Sequence, residues 1–524
     1  MDKRVWVALI LSMAVLFFYP YFIQQFYPSQ EQKAEEAQKA APAPGTAVNE
    51  AAPAATAVPA APPPVKEELT TVETPLFVAV LSSNGGSIKS FELKNYKEGI
   101  EAGAKTIDAA QRVGTLGSFR TELFINGVVE SIAFSPSRAS ANIGEGETGD
   151  IVYTGRSSSG LVIEKRYTFS GNSYAIKTGL KAANPTPNAI SVRADTVLSA
   201  SVSGKDATGY HQGPIIKSND KLVRQDDDEQ RLTGNGKLKW LGLEDKYFLS
   251  AIIPSTAAQL SWTTEIPAAG QSKAALHIPL NVAPNTNISL GYTSFMGPKE
   301  YDRLLEQKAG LDDAIEFGWF DWLARPFLVV LNFFERYLGN YGLAIVVLTV
   351  IIKVLFYPLT KKSLNSMREM QKMQPQMAAL KEKYKNDKQK MNKELMELYK
   401  RYKINPLGGC LPMVLQIPVF IALYEALYVA IELRHAPFYL WIHDLSSKDP
   451  YYITPLLMGA TMFLQQKMTP TSVDPTQQKI MLFMPVIFTF MFLNFPSGLV
   501  LYWLVNNVLQ IGQQYFIYKT PAKA

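Results

Sequence analysis

The sequence predicts a polytopic α-helical membrane protein with a large β-sandwich domain between its first and second spans. Three observations carry this. Apolar runs of bilayer length crowd both ends of the chain, the middle alternates with period two, and a strongly basic stretch separates two of the C-terminal runs. Averages hide the pattern. The 524 residues are 47% hydrophobic and 19% charged with a net charge of +6, which says little until mapped onto position.

At the N-terminus, Met1-Asp2-Lys3-Arg4 precede residues 5–27, which carry no charge and are mostly apolar. A helix needs roughly 20 such residues to cross a hydrocarbon core about 30 Å thick. The run closes on Tyr19-Pro20-Tyr21-Phe22-Ile23, bulky where a cleavable signal has small residues. It reads as an uncleaved anchor over 1–28, with Lys3 and Arg4 left in the cytoplasm. Residues 29–68, rich in Ala, Pro, Glu, Gln and Lys, have too little apolar surface to bury and read as a disordered tether.

Residues 69–315 read as the β domain. Leu161, Ile163, Lys165, Tyr167 and Phe169 share one parity against Val162, Glu164, Arg166 and Thr168. Tyr174, Ile176, Thr178 and Leu180 alternate with Ala175, Lys177, Gly179 and Lys181. Short alternating strands with turn signals such as Asn84-Gly85-Gly86 indicate a sandwich. The polar stretch 218–237 reads as a loop. Residues 316–340 turn helical, with Phe317, Trp319, Phe320, Trp322, Leu323, Phe327, Val330, Leu331 and Phe334 among charged residues. Tryptophan and arginine beside an apolar face suit an amphipathic helix in the membrane interface; a helix packed beneath the β domain is the alternative.

The remaining core, 341–518, holds five candidate spans: 341–359, 411–431, 451–466, 480–495 and 497–518. With the anchor this makes six. The spans at 451–466 and 480–495 cover only about 24 Å of helix each, so the bilayer thins locally or they tilt among neighbours. Residues 361–403 contain thirteen Lys/Arg against five Asp/Glu, a net charge of +8, which places them in the cytoplasm. Counting spans outward puts both termini inside, including the tail 519–524, and the β domain outside.

The 361–403 segment is itself helical. Met367, Met370, Met373, Met377, Leu380 and Tyr384 form one stripe, and Met391, Leu395, Leu398 and Tyr402 a second, separated by Lys385-Asn386-Asp387-Lys388. Two antiparallel helices in a hairpin follow. Methionine suits surfaces that accept many apolar partners, although the stripes can also simply pack on each other. The surrounding positive charge favours anionic lipid or ribosomal RNA nearby.

Lys353 is the sharpest feature. An ionisable group inside an apolar span is by default a functional-site hypothesis, and its insertion costs at least about 2.5 kcal/mol. The competing reading is snorkelling, since Lys361 and the cytoplasmic end are roughly 12 Å of helix away. Thr349 and Tyr357 share its face. Gln416 sits at comparable depth in the next span, and Gln465 and Gln466 in the one after. The last span carries Tyr502, Trp503, Asn506, Asn507, Gln510, Gln513 and Gln514; of these, Trp503, Asn507, Gln510 and Gln514 repeat at helical spacing. Together they suggest a wet, polar interior. Glu425 is a second candidate buried charge, nearer the outer surface.

Catalytic constellations are missing from the sequence. The four histidines, His211, His277, His435 and His443, lack metal-ligand spacing, and Gly234-Asn235-Gly236-Lys237 lacks the Ser/Thr of a phosphate loop. No cofactor is expected. The single cysteine, Cys410, permits no intramolecular disulfide and reads as a plain small residue at a helix start.

In order along the chain, Tyr357-Pro358-Leu359-Thr360, Asn405-Pro406-Leu407-Gly408-Gly409-Cys410, Ala436-Pro437-Phe438, Trp441-Ile442-His443-Asp444-Leu445, Asp449-Pro450-Tyr451-Tyr452, Gln478-Lys479-Ile480-Met481 and Phe495-Pro496-Ser497-Gly498-Leu499 strongly resemble the YidC membrane-protein insertases, relatives of the Oxa/Alb insertases. The resemblance implies a non-enzymatic insertase of the bacterial inner membrane with a periplasmic β-supersandwich and a five-helix core. It also implies a hydrophilic groove open to cytoplasm and lipid. Nascent membrane proteins, the Sec translocon, the ribosome and the bilayer are the expected partners. Substrate-groove residues would be Lys353, Thr349, Gln416, Tyr502, Trp503, Asn506, Asn507 and Gln510, and the recruiting hairpin would use Met367, Met370, Met373, Met377 and Met391. Two departures stand out: the family's groove charge is usually arginine where this chain has Lys353, and Tyr502-Trp503 replaces a common Tyr-Tyr. A small-solute transporter is the runner-up, but the internal repeats common in such proteins are not apparent. A sugar enzyme in the β domain is a third reading, resting on fold analogy alone.

Overall fold

The computed structural model describes residues 67–110, 117–125, 128–201, 204–205, 209–226, 229–255, 259–268, 270–402, 411–469 and 475–519. The predicted anchor, the tether through residue 66, the 405–410 motif and the tail beyond 519 lie outside the described residues. Glu67 already accepts from Ser82 and Lys89 at 2.7 and 2.8 Å, and the Glu68 N–H donates to Ser83. The folded domain therefore starts two residues earlier than the composition suggests.

The alternation of the middle region does what period two requires. Leu161, Ile163, Lys165, Tyr167 and Phe169 are all fully buried, on the strand Val162–Ser170 and the residue before it, while Arg166 on the other parity is exposed. That strand pairs antiparallel with Thr148–Arg156 and Ala175–Asn184. Ala175–Asn184 pairs in turn with Thr286–Pro298. A second set runs Arg120–Ile125, Ile190–Ala200, Gln271–Val282 and Gln259–Ala268. The long strand Arg231–Glu244 joins the two sets: its first half pairs with Gln259–Ala268 and its second with Phe248–Pro254. Gln271–Val282 also lies against Ala175–Asn184 and His211–Ser218, which makes the domain a sandwich. A separate five-stranded sheet is built on Leu69–Glu73, Phe77–Ser82 and Ser87–Lys97. Its second and third strands are joined by the predicted turn, where Gly85 and Gly86 hold φ of +64° and +55°.

The 218–237 stretch departs from expectation. It is not a loop: Lys221–Arg224 pairs with His211–Ser218, and Arg231–Glu244 begins within it. Its charged side chains hide the strand pattern, but backbone pairing does not need apolar side chains where one face meets solvent.

Strand ends and the following linker are held by a buried ion cluster. The Glu244 carboxylate faces His211 Nδ1 at 3.1 Å, Arg224 Nε at 2.7 Å and Lys299 Nζ at 2.5 Å. Burial pushes this carboxyl up, but Lys299, Arg224 and His211 outweigh it and hold the pKa at about 2. Arg224 and Lys299 also donate to the carbonyl of Ala314, and Arg325 pairs with Asp312, Asp313 and Asp321. The linker out of the sandwich is thus clamped on both sides.

Helices follow: α1 (Tyr301–Glu306), α2 (Asp321–Leu338), α3 (Tyr341–Lys372), α4 (Gln374–Lys383), α5 (Lys388–Arg401), α6 (Leu411–Val429), α7 (Ile453–Met468), α8 (Pro475–Phe492) and α9 (Ser497–Lys519). Gly339 ends α2 in the left-handed conformation and Asn340 caps α3 by accepting from the Leu343 N–H at 3.1 Å. α2 packs against α3 and α6 through Ala324, Phe327, Leu328 and Leu331, so its buried face meets the bundle. Trp319, just before α2, and Trp322, Phe333 and Tyr337 on it are exposed.

The helix of 32 residues, α3, is roughly 48 Å long, so it outruns the predicted 341–359 span and carries on into the basic segment. It stops at Lys372, and a new helix starts with Pro375 in its first turn, where the missing N–H is harmless. The predicted hairpin therefore has a break at Met373 as well as the expected one before α5. Among the described residues α3 alone is long and apolar enough to cross a bilayer by length and composition; the apolar stretches Leu415–Val429 and Met481–Phe492 are shorter.

Candidate functional site

Lys353 faces α9 from the middle of α3 and is 8% exposed. Its Nζ donates to Gln510 Oε1 at 2.8 Å, and Gln513 Nε2 donates to the Lys353 carbonyl at 3.4 Å. Both amides come from one face of α9, four and seven residues after Asn506 and three apart, the spacing that aligns side chains along a helix. About two turns toward the other end, the Tyr502 hydroxyl accepts from Gln416 Nε2 of α6 at 2.8 Å. The Oδ1 of Asn506, between these two pairs, and the Oε1 of Gln513 are buried with no hydrogen-bond partner among the described residues.

The other predicted groove residues go elsewhere. Thr349 is buried, and its hydroxyl donates back to the Ile345 carbonyl at 2.6 Å within α3. Asn507 turns to α7, donating toward Met458 O and Thr461 Oγ1 at 3.5 and 3.4 Å. Gln514 likewise reaches Thr469 Oγ1 at 3.2 Å. Trp503 joins an aromatic cluster, with ring centroids 4.6 Å from Phe420, 6.3 Å from Phe488 and 5.1 Å from Phe492. Tyr357 is 41% exposed, outside the polar interior. The α9 face read from sequence is two faces: one toward α3 and α6, the other toward α7. Glu425 sits against the turn at Gly318, whose φ is +63° and where an added Cβ would lie 3.2 Å from the carboxyl.

The loop between α6 and α7 closes one end of the bundle. Asn340 donates to the Pro437 carbonyl, and Phe438 covers Gly342 so closely that a Cβ there would meet its ring at 2.0 Å. The Asp449 carboxylate accepts from Thr454 N, Tyr451 N and Trp441 Nε1, capping α7. Ser497 and Gly498, which open α9, donate to the carbonyls of Ser447 and Leu445. The sequence marked these residues, but gave no sign that Asp449 holds the first turn of α7 or that Asp444 accepts from the His435 and Ser446 N–H groups within the loop.

The family model for the 60Kd inner membrane protein matches residues 333–524, and that for the YidC periplasmic domain matches 69–330. A membrane protein insertase YidC from Syntrophus aciditrophicus is 44% identical to this chain, covering 99% of it and 100% of the relative. This chain belongs to the YidC membrane protein insertase family. A second YidC insertase, from Geobacter sulfurreducens, is 45% identical over 86% of each chain. The structure of an active YidC insertase with its first transmembrane domain resolved aligns over 87% of this chain and 95% of its own, at 20% identity and a TM-score of 0.39. The sheet region here is the YidC periplasmic domain, and the helical region is the inner-membrane part.

In this YidC-family chain the basic hairpin has a small core of its own. Met373, Met377 and Leu398 are buried, with Leu380, Leu395 and Tyr399 against them. The Tyr399 hydroxyl lies 3.8 Å from Met377 sulfur. Met367, Met370 and Met391 are only partly covered, and Met396, which the stripe spacing passes over, is 50% exposed. The histidines of the periplasmic domain both have carboxylate partners that sequence reading missed. His211 faces Glu244, and His277 Nδ1 lies 2.8 Å from Asp195 while its Nε2 lies 2.8 Å from the Thr263 hydroxyl. Arg193 holds Asp195 through two contacts of 2.8 Å. The cross-strand register that makes these pairs cannot be read from residue spacing.

Proposed function

We propose that this protein inserts integral membrane proteins into the bacterial inner membrane, by offering a polar flank a buried charge inside the bundle. The observation that carries the reading is Lys353: a residue 8% exposed in an apolar helix, whose ammonium donates to the Gln510 amide oxygen of a neighbouring helix while Gln513 holds its backbone carbonyl. Such a charge is costly to place in a membrane, and the polar groups of Gln416, Tyr502, Asn506, Gln510 and Gln513 reduce that cost for it and for any flank entering beside it. Exposed Val354, Leu355, Phe463, Phe483, Phe490 and Phe516 on the surrounding helices favour lipid on the outside of the bundle.

In this reading the chain crosses the membrane six times, with both termini and the 361–403 hairpin cytoplasmic and the β domain periplasmic; five of the spans form the core. The hairpin receives the nascent chain through partly covered Met367, Met370 and Met391, near the ribosome and anionic lipid. The flank then enters a groove open to cytoplasm and lipid, and the substrate helix leaves along α3 and α9, alone or beside the Sec translocon. Thr349, Trp503 and Asn507 support the groove walls rather than its floor. The protein acts as an insertase and chaperone, not as an enzyme. Full-length protein in proteoliposomes tests this with single-span substrates carrying acidic outer flanks. Lys353→Ala lowers their insertion severalfold, whereas unchanged insertion would remove the electrostatic role.

A further inference from the structure

We infer that Gln510 is a displaceable cap on Lys353 that makes the groove selective for acidic over neutral flanks; this rests on the insertase reading above. The Lys353 ammonium does not stand open. Its hydrogen bond to Gln510 Oε1 is 2.8 Å long, and the same helix is held to the Lys353 backbone by Gln513. A substrate group must therefore compete with an amide oxygen already in place.

The competition separates ligands by charge. A carboxylate replaces a neutral acceptor with a charge-assisted hydrogen bond, which is roughly twice as strong and gains further in a low-dielectric setting. A neutral hydroxyl or amide exchanges one ordinary acceptor for another and gains almost nothing. Lysine makes this exchange simple. It is a point charge with three donors and no planar fork, so one acceptor can be traded for another without a bidentate geometry having to be rebuilt.

Release of Gln510 also has somewhere to go. Its face of α9 carries Asn506 one turn away, whose buried Oδ1 has no hydrogen-bond partner among the described residues. The amide nitrogen of a displaced Gln510 can donate to such an acceptor at i−4 spacing. The cap then has two seats: its oxygen on Lys353 at rest, and its nitrogen on Asn506 when a carboxylate has arrived.

The test is site-specific crosslinking and insertion in proteoliposomes with full-length protein. Two single-span substrates are used that differ only in an acidic or a neutral outer flank. Gln510→Leu removes the competitor and raises groove occupancy by the acidic-flank substrate about tenfold, with little change for the neutral one. Gln510→Glu places a carboxylate permanently on Lys353 and lowers acidic-flank occupancy about tenfold, again sparing the neutral substrate. In a Lys353→Met background both substitutions lose their effect on flank preference, which a merely structural role would not produce. Equal changes for the two substrates, or flank effects that persist without Lys353, overturn the cap. A wild-type protein that crosslinks neither substrate overturns the insertase reading itself, and the cap with it.

Discussion

Lys165 and Lys353 are both buried, and neither hydrogen-bonds to a carboxylate. Lys165 lies inside the sandwich, where Nζ donates to Gly86 O at 2.9 Å and Phe119 O at 2.5 Å. Both carbonyls come from residues with positive φ, and burial pushes the ammonium pKa well down. Parity placed Lys165 on the core face, but its partners lie 79 and 46 residues away in sequence, so nothing local announces them. Lys353 stood out because its whole neighbourhood is apolar; which amide meets it depends on how α9 is rotated against α3, and that is a packing outcome. Glu432, just past the α6 span, is a partly buried carboxyl with a measurable consequence. Burial, with Glu300 and Asp302 adding to it and the Tyr301 N–H opposing, raises its pKa to about 7. A carboxyl raised in the folded state gives stability that is full below about pH 4.5 and is lost as pH rises to about 7. Glu432→Gln keeps an acceptor for Tyr301 and removes the ionisation. Thermal melting in detergent should show the variant stabilised by about 1–3 kcal/mol at pH 8, and much less at pH 5. An equal shift at both pH values would assign the effect to packing.

At the scale of elements, the methionine stripes of the hairpin divide into two jobs. Spacing of three and four found both helices and their turn, because a period of 3.6 survives in any amphipathic pair. It did not separate Met373 and Met377, which pack inside, from Met367, Met370 and Met391 on the same stripes, which are only partly covered; on a two-helix unit the apolar arc is wider than the contact. Nor did it show the stop at Lys372, although Pro375, which cannot donate to the carbonyl four residues back and clashes with it, keeps α3 from running on unbroken. A core this small depends on each member. Removing a buried methionine side chain costs about 2–5 kcal/mol, enough to open a unit that rests on three buried residues. Hydrogen exchange on full-length protein should show the amides of α4 and α5 exchanging faster in Met377→Ala, with α3 unaffected above Thr360. Met396→Ala should leave the exchange pattern as in wild type. Slow exchange retained in Met377→Ala would mean that the hairpin is held from outside its own core.

Across the whole molecule, the sandwich and the bundle meet at a polar seam. Arg434 donates to the carbonyls of Lys97 and Glu98 at 2.7 and 3.0 Å, Lys246 lies 3.5 Å from the centre of the Tyr428 ring, and Glu432 accepts from Tyr301. These contacts fix the sandwich to the end of α6 remote from the hairpin, because α6 starts where the basic segment ends. In the proposed arrangement the charge of +8 over 361–403 keeps that segment on the cytoplasmic side, opposite the periplasmic sandwich. The geometry and the charge rule are independent, and only the charge was legible, by counting; the seam was not, since its hydrogen bonds join residues 131 to 337 positions apart. With only one cysteine in the chain, Cys410→Ser gives a clean background for testing the arrangement. Val128→Cys, at an exposed position of the sandwich, and Gln389→Cys, at an exposed position of the hairpin, then serve as reporters. A membrane-impermeant maleimide added to cells with a permeabilised outer membrane should label Val128→Cys and not Gln389→Cys. Gln389→Cys should react only after the inner membrane is opened. Labelling of both from outside would place the basic hairpin across the membrane from the side its charge dictates, and would break the link between the seam and the groove that the six-span arrangement requires.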